Sequence, residues 1–234
     1  MSRVVVITGG SKGIGRSVAY KFAEEKARII IMHYDPDESA SEETLKVLSQ
    51  KGVEAESHKV DVSSFEAVAE SFKDVLSRFE KIDVLVNNAG AARHESVQEA
   101  DMEAWRQIMD LNFNAVAYLS RQVLPAMIER GSGSIVNISS ISGRTGAAGN
   151  GVYSASKHAL NGLSECMYED VRDHGIKVSS IMPGFVETSL TGNMGLNAGN
   201  MMASEDVADA VEYVLSASPR CCPTEIVLRP QLRP

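Results

Sequence analysis

The chain has 234 residues, 44% apolar and 23% charged, with a net charge of −8, which suits an ordinary globule with one substantial core. Basic residues scattered over an acidic chain argue against a nucleic-acid partner, and no apolar run is long enough to span a bilayer. Three cysteines make no disulfide framework, the five histidines lack metal-ligand spacing, and Met1-Ser2-Arg3 runs straight into an apolar strand without a secretory leader. A cytoplasmic, metal-free protein is expected.

Residues 4–7 are a β-branched run suited to a strand buried on both faces. The run enters Thr8-Gly9-Gly10-Ser11-Lys12-Gly13-Ile14-Gly15, and a helix-like segment follows to Lys26. Strand, glycine turn and helix form the setting of a phosphate-binding loop. Glycine lets backbone approach a pyrophosphate, and the helix N-terminus offers free N–H groups. Residues 28–32 read as a second strand, leaving through His33-Tyr34-Asp35-Pro36-Asp37-Glu38. A helix over Ser39–Gln50 is expected to be capped by Ser39 or Ser41, with Leu45 and Leu48 inward. A third strand over 54–60 leads to Asp61-Val62, and Ser63 or Ser64 caps the next helix. Phe65, Val68, Phe72, Val75, Leu76 and Phe79 recur there at helical spacing and read as core.

A fourth strand, 82–86, ends in Asn87-Asn88-Ala89-Gly90. Residues 102–130 read as one long helix disturbed at Pro125, with Trp105, Ile108, Met109, Val116, Leu119 and Val123 inward. A strand beginning at Ser134 ends in Ser139 and Ser140, and a helix over 153–174 and a strand over 177–182 follow. Beyond Pro183-Gly184, residues 185–202 carry Gly192, Asn193, Gly195, Asn197, Gly199 and Asn200. Little there can pack, which predicts a mobile loop serving as a lid or as a surface excursion. A helix over 204–217 and a strand over Glu225–Leu228 finish the chain. Alternating strands and helices predict an α/β fold, a doubly wound and mainly parallel sheet with helices on both faces, in a single domain over 1–234.

Tyr153 and Lys157 stand one helical turn apart and share a face. A fixed ammonium nearby stabilises a phenolate and brings the phenol nearer its working range. Ser140, just upstream, is placed to polarise a carbonyl oxygen while Tyr153 supplies or removes the proton.

Together these motifs resemble the short-chain dehydrogenase/reductase family over essentially the full length. The glycine loop is similar to that family's Thr-Gly-x-x-x-Gly-x-Gly, and Asn87-Asn88-Ala89-Gly90 to its Asn-Asn-Ala-Gly. Ser140 lies thirteen residues before Tyr153, and Pro183-Gly184 resembles the nicotinamide-side turn. The resemblance implies a Rossmann-type, seven-stranded fold. It also implies a catalytic set of Ser140 on the carbonyl, Tyr153 as acid or base, Lys157 on the nicotinamide ribose, and Asn112 holding a relay water. Asn114 is the substitute for Asn112, backbone bonding its bland alternative, and Ser139 the competitor of Ser140. Cofactor contacts are implied at Gly9, Ser11, Lys12, Ile14, Gly15, Asn88, Ala89, Gly90, Pro183, Gly184, Val186 and Thr188, and at Asp61 and Val62 beside adenine. Asp61 reads otherwise as a turn carboxylate.

The slot that selects between NAD and NADP falls on His33 or Tyr34, with Asp35 just beyond. Lys12 favours NADP(H) through a 2′-phosphate, while the nearby acids leave NAD(H) open. The N-terminal three-quarters are most similar to 3-oxoacyl-(acyl-carrier-protein) reductases, which implies an NADPH-dependent keto reductase. The alternatives are an NAD-dependent alcohol or hydroxysteroid-type dehydrogenase and a catalytically silent nucleotide-sensing scaffold. Two features depart from those reductases: a C-terminus without their Gly-rich strand, and Lys26 where relatives place glycine. The substrate pocket is expected from 91–96, 142–150 and the loop after Gly184. A small-molecule carbonyl or alcohol is the expected partner, and a homodimer or homotetramer the expected assembly, through the helices of 102–130 and 153–174.

Overall fold

Strands that are apolar at every position leave no face for water, so both sides of their sheet must be covered. A computed structural model describes residues 2–79, 81–192 and 194–234; Met1 and Asn193, which figure in the reading of the start and of the late loop, lie outside the described residues. Its strands are β1 (Val4–Thr8), β2 (Arg28–His33), β3 (Ala55–Lys59), β4 (Val84–Asn87), β5 (Gly133–Ile138), β6 (Ile176–Pro183) and β7 (Glu225–Leu228). They form one sheet in the order β3-β2-β1-β4-β5-β6-β7, with every pairing parallel. This is the expected doubly wound Rossmann-type fold.

The helices are α1 (Gly13–Glu24), α2 (Ser39–Gln50), α3 (Phe65–Arg78), α4 (Met102–Met109), α5 (Ala115–Arg130), α6 (Gly151–Val171) and α7 (Ser204–Ser216). Strand alternation divides the core in two. Val4, Val6, Ile30, Met32, Leu85 and Ile135 meet α3, α5 and α6 through Phe72, Leu119 and Leu160. On the other face Val5, Ile7, Ile29, Ile31 and Val86 meet α1 and α7 through Val18, Phe22, Val207 and Val211. The chain steps outward from β1 to β2 and β3, then returns to β4 on the other side. The crevice that opens there, at the carboxyl ends of β1 and β4, is where such sheets bind ligands.

Several sequence expectations give way to local geometry. The long helix over 102–130 is broken at Asp110–Asn114, which forms a π-helical turn, while α5 runs through Pro125. Pro125 faces solvent, so water can meet the carbonyl its missing N–H leaves free. Phe65 opens α3 at 36% exposure, outside the core, and stacks edge-on against Tyr118 with ring centroids 5.4 Å apart. Ser64 caps α3 by accepting from the Ala67 N–H, but neither Ser39 nor Ser41 caps α2. Instead Asp37 accepts from the Ser39 N–H and hydroxyl, each at 2.9 Å. Lys26 adopts φ +54° in the tight turn between α1 and β2, the one described non-glycine residue in the left-handed region.

Candidate active site

The glycine loop closes over the end of β1 because its glycines do what other residues cannot. Gly9 (φ +63°) and Gly13 (φ +53°) are left-handed, and a Cβ on Gly9 would come within 2.8 Å of Asn88 Nδ2. Asn88 donates from that amide to the carbonyls of Thr8 (2.9 Å) and Gly9 (3.1 Å). Thr8 Oγ1 returns the tie by accepting from the N–H groups of Asn88 and Ala89, both at 3.0 Å. Asn88 thus knits the β4 turn to the loop. Thr8 was missed as a site residue, although a threonine ending a strand before glycines is a legible signal.

The first turn of α1 has no side-chain cap and no acidic residue. Its free N–H groups and the flanking glycines fit a dinucleotide pyrophosphate. Behind the loop, Arg16 Nε donates to the Ser11 carbonyl at 2.9 Å, and Thr44 Oγ1, fully buried on α2, lies 2.9 Å from the same oxygen. No sequence pattern flags Thr44, because its partner is 33 residues away.

Asp35 reaches back across the loop. Its carboxylate accepts from Ser11 Oγ at 2.9 Å and pairs with Lys12 Nζ at 2.5 Å. The Lys12 ammonium and the Ser11 hydroxyl hold Asp35 below the usual carboxylate range. Tyr34 points outward at 65% exposure, while His33 is buried at the end of β2. Asp61 binds its own turn, accepting from Ser63 N (2.9 Å) and Oγ (2.6 Å), and Val62 packs in the core.

A cavity of about 480 Å³ lies at the crevice. Gly9, Lys12, Ile14, Asn88, Ala89, Gly90, Pro183, Gly184, Val186 and Thr188 line it together with Ser140, Tyr153 and Lys157. Ser11, Gly15, Tyr34, Asp61, Val62 and Asn112 do not. The loop after β6 is pinned by reciprocal bonds, Glu187 N–H to the Met202 carbonyl and Met202 N–H to the Phe185 carbonyl, and contributes Leu190 and Met194 to the cavity wall.

Ser140, at the exit of β5, accepts from the Ser142 N–H at 3.1 Å and lines the same cavity as the Tyr153 phenol. Ser139 turns the other way, its hydroxyl toward the Lys157 carbonyl at 3.4 Å. Burial pushes the Tyr153 phenol above its ordinary value, and the neighbouring Ser140 hydroxyl works against that rise. Lys157 is 5% exposed and donates to the Ile138 carbonyl at 2.9 Å, with Nζ 5.8 Å from the Tyr153 ring centroid. Burial lowers its pKa to about 8. The expected depression of the Tyr153 pKa by Lys157 is therefore outweighed here: desolvation dominates both groups.

The Asn112 side chain is held by neighbouring groups. Its Oδ1 accepts from the Ala91 N–H and its Nδ2 donates to the Ala91 carbonyl, both at 2.9 Å, with Ser156 Oγ a further 3.0 Å partner. The π turn delivers this side chain to the β4 exit, so it braces the Asn88–Ala91 turn against α6. Asn114 bonds Asp110 on its own helix turn.

Chemically the cavity offers an anion cradle, a neutral phenol and a serine hydroxyl on one wall, and a buried amine. That set can protonate a carbonyl oxygen or deprotonate an alcohol. Residues 3–198 match the family described as short chain dehydrogenase. An uncharacterized oxidoreductase of Staphylococcus saprophyticus is 33% identical over 228 residues, 97% of either chain. An acetoacetyl-CoA reductase of Allochromatium vinosum is 32% identical over 204 residues, covering 87% of this chain and 83% of its own. A metagenomic short-chain oxidoreductase solved with NADP superposes with a TM-score of 0.86 at 31% identity, covering 99% of this chain and 98% of its own. With the glycine cradle and the Ser140–Tyr153–Lys157 cluster on one cavity, the chain belongs to the short chain dehydrogenase family, as an oxidoreductase that works with a nicotinamide dinucleotide.

Proposed function

We propose that the protein is an NADPH-dependent keto reductase that converts the carbonyl of a small ketone or 3-oxoacyl compound into a secondary alcohol. The carrying observation is that Ser140, Tyr153 and the buried Lys157 share the wall of the cavity that the glycine loop also lines. When bound, the reduced nicotinamide supplies a hydride to the carbonyl carbon. The Ser140 hydroxyl polarises the carbonyl oxygen, and Tyr153, kept protonated by burial, gives it a proton. Lys157 holds the nicotinamide ribose and favours the phenolate left behind. Gly9, Ile14, Gly15 and the Pro183–Thr188 segment hold the dinucleotide. Asn112 positions the Asn88–Ala91 turn through its bonds to Ala91.

The preference for NADP rests on Lys12, whose half-exposed ion pair with Asp35 is of a kind worth at most about 1 kcal/mol. A 2′-phosphate carrying nearly two charges displaces a carboxylate from such a pair. The second reading, an NAD-dependent alcohol dehydrogenase, draws on Asp35 itself, a carboxylate at the place where ribose hydroxyls are read. The whole chain acts as one dinucleotide-binding unit in the cytoplasm, consistent with its three free cysteines. It assembles as a homodimer or homotetramer, for which exposed Met102 on α4 and Phe65 on α3 supply apolar surface. The test is reduction of a ketone and thioester panel with each nicotinamide. Turnover with NADPH exceeding that with NADH is expected; a preference for NADH supports the second reading.

A further inference from the structure

The substrate end of the cavity has an uneven chemistry. Ala92, Ile141, Ala148, Leu190 and Met194 make it apolar, and no aspartate or glutamate lines the cavity among the described residues. One ionisable side chain stands on this wall apart from Tyr153 and Lys157. That side chain is His94, exposed at the mouth.

The surrounding charges are already committed. Arg93 is held by Glu95 at 2.9 Å and by Asp101 at 3.8 Å. Arg144 is paired with Glu225. Lys157 gives its bond to the Ile138 carbonyl, and Lys12, at the far end, pairs with Asp35. The loop after β6 brings only uncharged residues to the wall. Among the described residues His94 has no ion-pair or hydrogen-bond partner, so its imidazole is the cation-capable group left for a ligand.

Resting on the keto-reductase reading, we infer that the substrate is a short oxo acid whose carboxylate seats on His94 while its ketone meets Ser140 and Tyr153. His94 thereby sets specificity for a free acid over a neutral ketone. A charge-assisted bond to a carboxylate forms only with the imidazolium, so the preference for the acid is expected to weaken as pH rises. At this partly exposed site the bond is expected to be worth about tenfold in kcat/KM.

The test compares acetoacetate and 4-oxopentanoate with their methyl esters, using NADPH, from pH 5.5 to 8.5. At least one acid should exceed its ester about tenfold at pH 6, and that ratio should fall at least fivefold by pH 8. His94→Gln should flatten the ratio across the range, and His94→Lys should hold it high to pH 8. Esters reduced as well as or better than acids at every pH overturn the role of His94 and leave the keto-reductase reading standing. An acid-to-ester ratio that keeps its pH dependence in His94→Gln also overturns it. Turnover of none of the four, while a ketone or thioester of the panel is reduced, overturns the inference alone; reduction of nothing in the panel with either nicotinamide removes the keto-reductase reading with it.

Discussion

Asp35 and Lys12, 23 residues apart, close a 2.5 Å ion pair across the mouth of the glycine loop, and the Ser11 hydroxyl donates to the same carboxylate. A negative charge thus sits beside Lys12, the cation proposed to receive a 2′-phosphate. Asp35→Asn should release Lys12 and remove the repulsion, raising the NADP-to-NAD affinity ratio about tenfold. Fluorescence titration with both oxidised cofactors measures this. An unchanged ratio would show that Asp35 turns away when the dinucleotide binds.

How much of this was legible beforehand depends on the range of the interaction. The strand–glycine–helix start, the β-branched strands and the Tyr153/Lys157 spacing are local patterns, and each appears as expected. The Asp35 reach depends on how the exit of β2 folds back, which no local pattern encodes. The π turn at Asp110–Asn114 is likewise set from outside, by Asn112 answering the Ala91 backbone 21 residues away. The one visible breaker, Pro125, falls on a solvent face and breaks nothing. Asp61 and Asn112 satisfy local or neighbouring backbone, which residue type alone does not distinguish from ligand contact.

Thr44 supports the loop from behind. Thr44→Val removes a hydroxyl that lies 2.9 Å from the carbonyls of both Ser11 and Ala40, and leaves Arg16 as the side-chain partner of the Ser11 oxygen. A loss of about 1 kcal/mol in loop order should weaken dinucleotide binding roughly fivefold, with kcat nearly unchanged. Calorimetric binding and steady-state kinetics separate the two quantities, and a fall in kcat with binding intact would contradict a purely supporting role.

Reduction should depend on pH through Lys157. Burial depresses its pKa from the ordinary lysine value to about 8, so the ammonium is present below that pH and lost above it. Tyr153, raised by burial, keeps its proton throughout this range. The kcat/KM for ketone reduction should therefore hold a plateau below about pH 7 and fall tenfold per pH unit well above 8. A profile flat to pH 10 would mean that Lys157 is not the group that counts.

Lys26 carries a backbone cost at φ +54° on an exposed turn. Lys26→Gly should relieve about 1 kcal/mol of left-handed strain, offset in part by unfolded-chain entropy. The expected net gain of about 0.5 kcal/mol raises Tm by roughly 1–2 °C, read by thermal denaturation, with cofactor affinity unmoved. A lower Tm would indicate that the lysine side chain compensates for its own backbone.

The proton donor is the centre of the account, and Tyr153→Phe tests it most directly. The variant should bind NADPH with near-normal affinity, because the ring and its packing remain. Its single-turnover reduction of a ketone accepted by the parent protein should be slower by about 10²–10⁴-fold. A reduction rate within a few-fold of the parent, with NADPH bound equally well, would contradict the assignment of Tyr153 as the acid.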